Sequence, residues 1–107
     1  MDFSNIADLL LSIGVVMLFV FLWGKIKTKM AYTKMKKALI CISDKNYVQA
    51  IKLFEDIGSE LKYDSDYWFN LGVAFIGLGA ESDARPALAK SVALGNINAK
   101  RLLEKIS

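Results

Sequence analysis

From Leu9 to Gly24 the chain runs for sixteen residues without a charged side chain, and Ile6, Ala7 and Ile26 extend the apolar character at either end. At about 1.5 Å per helical residue, the stretch from Ile6 to Ile26 covers roughly 30 Å, the hydrocarbon thickness of a bilayer. Asp8 and Lys25 then fall at the two interfaces, with Trp23 at headgroup depth. A cleaved signal peptide needs a basic start and small residues before the cleavage point. Here the start is acidic and the run ends in Trp23, Gly24 and lysines. A buried core helix is the other reading of an apolar run, but this one is apolar on all faces and too little chain follows to surround it. Residues 1–26 are therefore expected to form a transmembrane anchor.

The charges give the anchor a direction. The segment up to Gly24 carries Asp2 and Asp8 and no base, while residues 25–37 carry Lys25, Lys27, Lys29, Lys34, Lys36 and Lys37 and no acid. Basic residues near the end of a span stay on the cytoplasmic side. The expected location is thus a bacterial-type inner (plasma) membrane, with the N-terminus outside and the C-terminal domain cytoplasmic. Lys25, Lys27 and Lys29 are expected at the membrane surface, where each contributes on the order of 1 kcal/mol against anionic headgroups. Beyond residue 37 acids and bases nearly balance, so the net charge of +3 sits in one short segment. A nucleic-acid binder spreads its bases over a domain face, and no nucleic-acid partner is expected.

Histidine is absent and Cys41 is the single cysteine. No Cys-His or Ser-His pair is available for nucleophilic catalysis and no Cys/His set for zinc, so neither an enzyme, a metal nor a cofactor is expected. Cys41 reads as a small core hydrophobe.

Laid against itself at a spacing of 34, the C-terminal part places Ala50 on Ala84, Phe54 on Leu88, Ala38 on Gly72 and Cys41 on Phe75. Small residues at Gly72 and Ala84 suit two helix backbones in close approach, and Trp68, Leu71, Phe75 and Leu88 suit the space between them. Ser65 or Asp66 can cap the first helix of this pair and Gly79 supports the turn. Ser82 as the next cap would leave Pro86 in a first turn, where proline is tolerated. Residues from about Asn98 to Ile106 predict one more short helix.

Trp68, Leu71, Gly72, Phe75, Gly79 and Ala84 resemble the pattern of a tetratricopeptide repeat, and Tyr47, Ala50 and Phe54 match it in a weaker first unit. Ala93, Gly95, Ala99 and Leu103 are also similar to the junctions of the related Sel1-like repeats. The sequence departs from the pattern at Lys34, Lys37, Glu81 and Ser91. The fold this implies is all-α: a transmembrane helix over 1–26, a basic juxtamembrane segment over 27–37 merging into the first repeat helix, and a domain over 33–107 of two antiparallel helix pairs with a C-terminal capping helix. With no Pro or Gly between Lys25 and Ser43, the spanning helix is expected to run on into the first repeat.

The resemblance implies binding rather than chemistry. Its groove positions are Met35, Leu39 and Ile42 in the first unit and Phe69, Asn70, Val73 and Ile76 in the second, a mostly apolar strip suited to a peptide or helix of a protein partner. The alternative for that strip is burial under the C-terminal helix. The basic clamp with which some members hold a chaperone's C-terminal carboxylate is missing: Asn70 and Lys100 match it, but Met35, Leu39 and Glu104 do not. Helical-repeat arrays usually need three or more units, so completion by self-association or by a membrane partner is expected. The expected function is a membrane-anchored adaptor or assembly factor. In architecture it is similar to the lipopolysaccharide assembly protein B family, which has more repeats and a metal-binding tail that this chain lacks. A small membrane immunity or inhibitor protein, neutralising a toxin or enzyme by direct binding, is the second reading.

Overall fold

The computed structural model describes residues 3–107; Met1 and Asp2, the start of the expected anchor and one of its two acids, lie outside them. Five α-helices follow one another with no strand among the described residues: α1 Phe3–Ser43, α2 Tyr47–Asp56, α3 Ser65–Leu78, α4 Glu81–Ala93 and α5 Ile97–Ile106. They divide between two compact units, Met1–Met30 and Ala31–Ser107.

The first unit is the N-terminal part of α1. Its side chains from Ile6 to Ile26 are all exposed, and α1 is long and apolar enough to cross a membrane. Lys25 and Lys27 each reach back one turn over an aromatic ring, their ammonium groups 4.7 Å from the centre of Phe21 and 5.9 Å from that of Trp23. Such stacking keeps the charge near the helix while the aliphatic stem covers apolar surface.

The second unit has its core where the last turns of α1 meet α2 and α3. Ala31, Met35 and Ala38, spaced to share one helix face, are buried with Ala50, Ile51 and Phe54 of α2, Ile57 and Leu61 of the following loop, and Tyr67, Leu71 and Ala74 of α3. Phe54 is wholly buried and meets Tyr67 edge-on, with ring centres 5.8 Å apart. The Tyr67 hydroxyl donates to the Phe54 carbonyl at 2.8 Å. Burial raises the Tyr67 phenol pKa, with Glu55 adding to the effect. Trp68, expected to fill the core, is instead half-buried at its margin: its indole N–H donates to the Lys62 carbonyl at 2.8 Å and the Lys90 ammonium lies 4.2 Å from its ring centre. One residue is about 100° of helix rotation, so the axis of α3 turns Tyr67, not Trp68, inward.

Helices α3 and α4 pack closely at Gly72. A Cβ placed on Gly72 would lie 2.6 Å from Cδ2 of Leu88, itself wholly buried, so this glycine leaves room that no side chain could occupy. Gly77 plays a similar part against α2, since a Cβ there would run into the Tyr47 ring.

Three of the connections share one hydrogen-bond pattern. Asn46 N–H donates to Cys41 O at 2.7 Å and Lys45 N–H to Ile42 O at 3.0 Å; Ala80 and Gly79 repeat this on Phe75 and Ile76 at 2.8 and 2.9 Å; Asn96 and Gly95 repeat it on Ser91 and Val92 at 3.0 and 2.9 Å. This pairing closes a helix through a residue in the left-handed region, here Lys45 (φ 62°), Gly79 (φ 85°) and Gly95 (φ 96°). Gly79 thus supports the turn as its sequence position predicts. Lys45 adopts the same conformation with a Cβ that disfavours it. Lys45→Gly is expected to stabilise the second unit by about 0.5–1 kcal/mol, the relief of left-handed strain outweighing glycine's extra unfolded entropy. A urea midpoint that fell, at unchanged slope, would contradict this.

Two expected helix starts are corrected. The cap of α3 is Asp64, whose carboxylate accepts from Asp66 N–H at 2.9 Å and Tyr67 N–H at 3.3 Å, not Ser65 or Asp66. In α4 the tight turn at Gly79 lets the helix begin at Glu81, before Ser82, with Ala80 as a cap that offers no side-chain acceptor. Pro86 therefore stands inside α4, beyond its first turn, and the Ser82 carbonyl loses the N–H it would otherwise receive. The last helix begins at Ile97, with the Asn96 side chain accepting from Ala99 N–H at 2.9 Å.

Candidate protein-interaction surface

Helix α3 presents three faces. Tyr67, Leu71 and Ala74 enter the core, Gly72 lies against Leu88 of α4, and Phe69, Val73 and Ile76 share a third face at positions i, i+4 and i+7. These three are half-buried. Asn70 lies between this face and the core face. Its side-chain amide donates to the Asp66 carbonyl one turn back at 2.9 Å, which fastens it to its own helix.

The α1 positions divide. Met35 is only 8% exposed and belongs to the core, so it offers nothing to a partner. It shares the buried face of Ala31 and Ala38, a phase the sequence alone could not set. Ile42 is half-buried and packs on that core, while Leu39, one turn earlier, is exposed. Of the apolar residues of the predicted strip, Leu39 on α1 is therefore exposed, and Phe69, Val73 and Ile76 on α3 and Ile42 on α1 are half-buried. Helix α5 packs on α4, through its buried Ala99 and half-buried Leu102, Leu103 and Ile106. Cys41 is half-buried among the residues lining the core.

A second arrangement was not legible in the sequence. The Tyr32 hydroxyl donates to one oxygen of the Asp64 carboxylate at 2.9 Å, while the other oxygen caps α3. Asp66 in turn accepts from the side-chain amide of Asn96 at 3.2 Å, and the Ser91 hydroxyl, wholly buried, donates to Ser65 O at 2.7 Å. These bonds gather the first turn of the second unit, the start of α3 and the α4–α5 turn at one end of the domain. Accepting the phenol proton's hydrogen bond, Asp64 raises the Tyr32 pKa, with its negative charge acting in the same direction.

Among the described residues, no three His, Cys, Asp or Glu side chains are grouped to hold a metal, and every buried side-chain nitrogen or oxygen has a partner. Lys25, Lys27 and Lys29 are exposed along α1 after the apolar run.

No known family matches this chain. No curated protein and no solved structure matches it either.

Proposed function

We propose that the chain is a membrane-anchored adaptor whose helical domain, a pair of tetratricopeptide-like units with a capping helix, binds an apolar peptide or helix of a protein partner on the cytoplasmic side of a bacterial-type inner membrane. The observation that carries the reading is the row Phe69, Val73 and Ile76, three half-exposed apolar side chains aligned on one helix face. A row at this spacing is what an amphipathic helix or extended peptide engages.

The repeat reading is supported by the residues that the 34-residue spacing pairs. Ala50 and Ala84 are both fully buried, as are Phe54 and Leu88, and Cys41 and Phe75 are both half-buried. The left-handed turn residues Lys45 and Gly79 stand at the same spacing. The direction of insertion rests on the six lysines between residues 25 and 37.

Val73→Asp places a charge at the centre of the row without touching the core. It is expected to remove, by at least about tenfold, the partner co-purified with the unsubstituted protein from detergent-solubilised membranes, since burying an unpaired carboxylate costs several kcal/mol. The helical circular dichroism should not change. Undiminished recovery of the same partner with both Val73→Asp and Phe69→Asp would rule out this face.

A further inference from the structure

The end of the domain held together by Tyr32, Asp64, Asp66 and Asn96 carries the two most exposed large apolar side chains of Ala31–Ser107: Tyr63 at 79% and Ile97 at 67%. Tyr63 is the tip of the α2–α3 loop, with the Lys62 ammonium 5.1 Å from its ring centre. Ile97 opens α5, directly after the Gly95 turn, where Leu94 is exposed as well. Along the outward side of α5, Lys100 and Arg101 follow within the next turn. Exposed aromatic and branched aliphatic tips flanked by bases are the composition of a protein surface that sits at headgroup depth.

The chain itself says which lipid surface these tips would meet. Only four residues separate Ile26, the last apolar position of the anchor, from Ala31, so even a fully extended connection of five steps keeps the start of the domain within about 18 Å of the span. Tyr32 is the first residue beyond that point to bond across the domain, and its partner Asp64 is the neighbour of Tyr63. The bond from Asn96 to Asp66 brings Ile97 to the same end. Asp64 and Asp66 keep their charges while bonded to Tyr32, the α3 backbone and Asn96, and the exposed Lys62, Lys100 and Arg101 lie beside the two apolar side chains, where bases can reach lipid phosphates.

We propose that this end of the domain makes a second, interfacial contact with the bilayer, inserting Tyr63 and Ile97 to headgroup depth. The inference rests on the reading of residues 6–26 as the span. Its competitor is the opposite end, where Val48 is exposed to a similar degree, at 52%, next to Tyr47 and the C-terminal part of α3. Exposure alone would send either end to the membrane; tether length favours the first.

The test uses the full chain in vesicles of neutral and anionic phospholipid. In a Cys41→Ser background, single cysteines replace Val16, Val48, Tyr63 and Ile97, carry a nitroxide label, and are compared for collision with a water-soluble paramagnetic chelate. The parent's helical circular dichroism is required of each variant. Labels at 63 and 97 are expected to be several-fold less accessible than the label at 48, with the label at 16 shielded completely. Equal accessibility at 48, 63 and 97 with 16 still shielded would overturn the interfacial contact and leave the anchor standing. An accessible label at 16 would overturn the span and the contact together.

Discussion

Phe54→Ala is expected to unfold the helical domain at ambient temperature or to bring it to the edge of unfolding. Phe54 is wholly buried at the meeting of α1, α2 and α3, and its ring is the edge-on partner of Tyr67. Truncating a buried phenylalanine costs about 3–5 kcal/mol, from lost transfer energy and the cavity left behind. A domain of the size of Ala31–Ser107 is stable by only about 4–12 kcal/mol, and one with so thin a core belongs toward the lower end of that range. In detergent micelles the thermal transition of the domain should disappear or fall by tens of degrees, while the helical signal of the apolar segment persists. Phe54→Leu, which keeps most of the volume, should lose far less. A loss under about 1 kcal/mol for the alanine variant would show that the core does not centre on this ring.

The second large effect concerns the membrane. Val16→Asp combined with Val20→Asp places two carboxylates one turn apart in the middle of the apolar run, where all side chains are exposed and none can pair within the chain. Each acid at the centre of a spanning helix costs about 2.5–3.5 kcal/mol for insertion, so the pair opposes it by about 5–7 kcal/mol. The unsubstituted chain should remain with the membranes through alkaline carbonate extraction; the double variant should appear in the supernatant or be degraded. Membrane retention of the double variant equal to that of the parent would exclude a simple spanning helix.

The elements most legible in the sequence were those set by local chemistry. A charge-free run needs no tertiary context to be helical and long enough for a bilayer, and Gly79 announces a left-handed turn because only glycine enters that region without penalty. Gly72 could be placed at a close helix contact because it and Ala84 are the small residues of the helix-pair pattern that this segment resembles. Lys45 gave no such signal: it holds the same turn as Gly79 against its own preference, imposed by the packing of the helices on either side. The caps misled for a related reason. Asp64, Ser65 and Asp66 are all good caps, and the choice among them follows from where the loop from Ile57 releases the chain.

Which residues of the predicted strip reach the surface depends on helix rotation. Periodicity places Phe69, Val73 and Ile76 on one face of a helix, but it leaves the rotation of that helix undetermined. Met35 and Trp68 exchanged roles with their surroundings on this account, Met35 turning into the core and Trp68 away from its centre in favour of Tyr67. The sequence by itself determined an all-helical chain, the apolar segment long enough to cross a membrane, the basic segment that follows, and the turn at Gly79, since each depends on residues within a few positions of one another. Only the tertiary structure decided the rotation of α1 and α3, the starts of α3 and α4, and the gathering of Tyr32, Asp64, Asp66 and Asn96 at one end. These depend on which side chains from distant segments can occupy the same space.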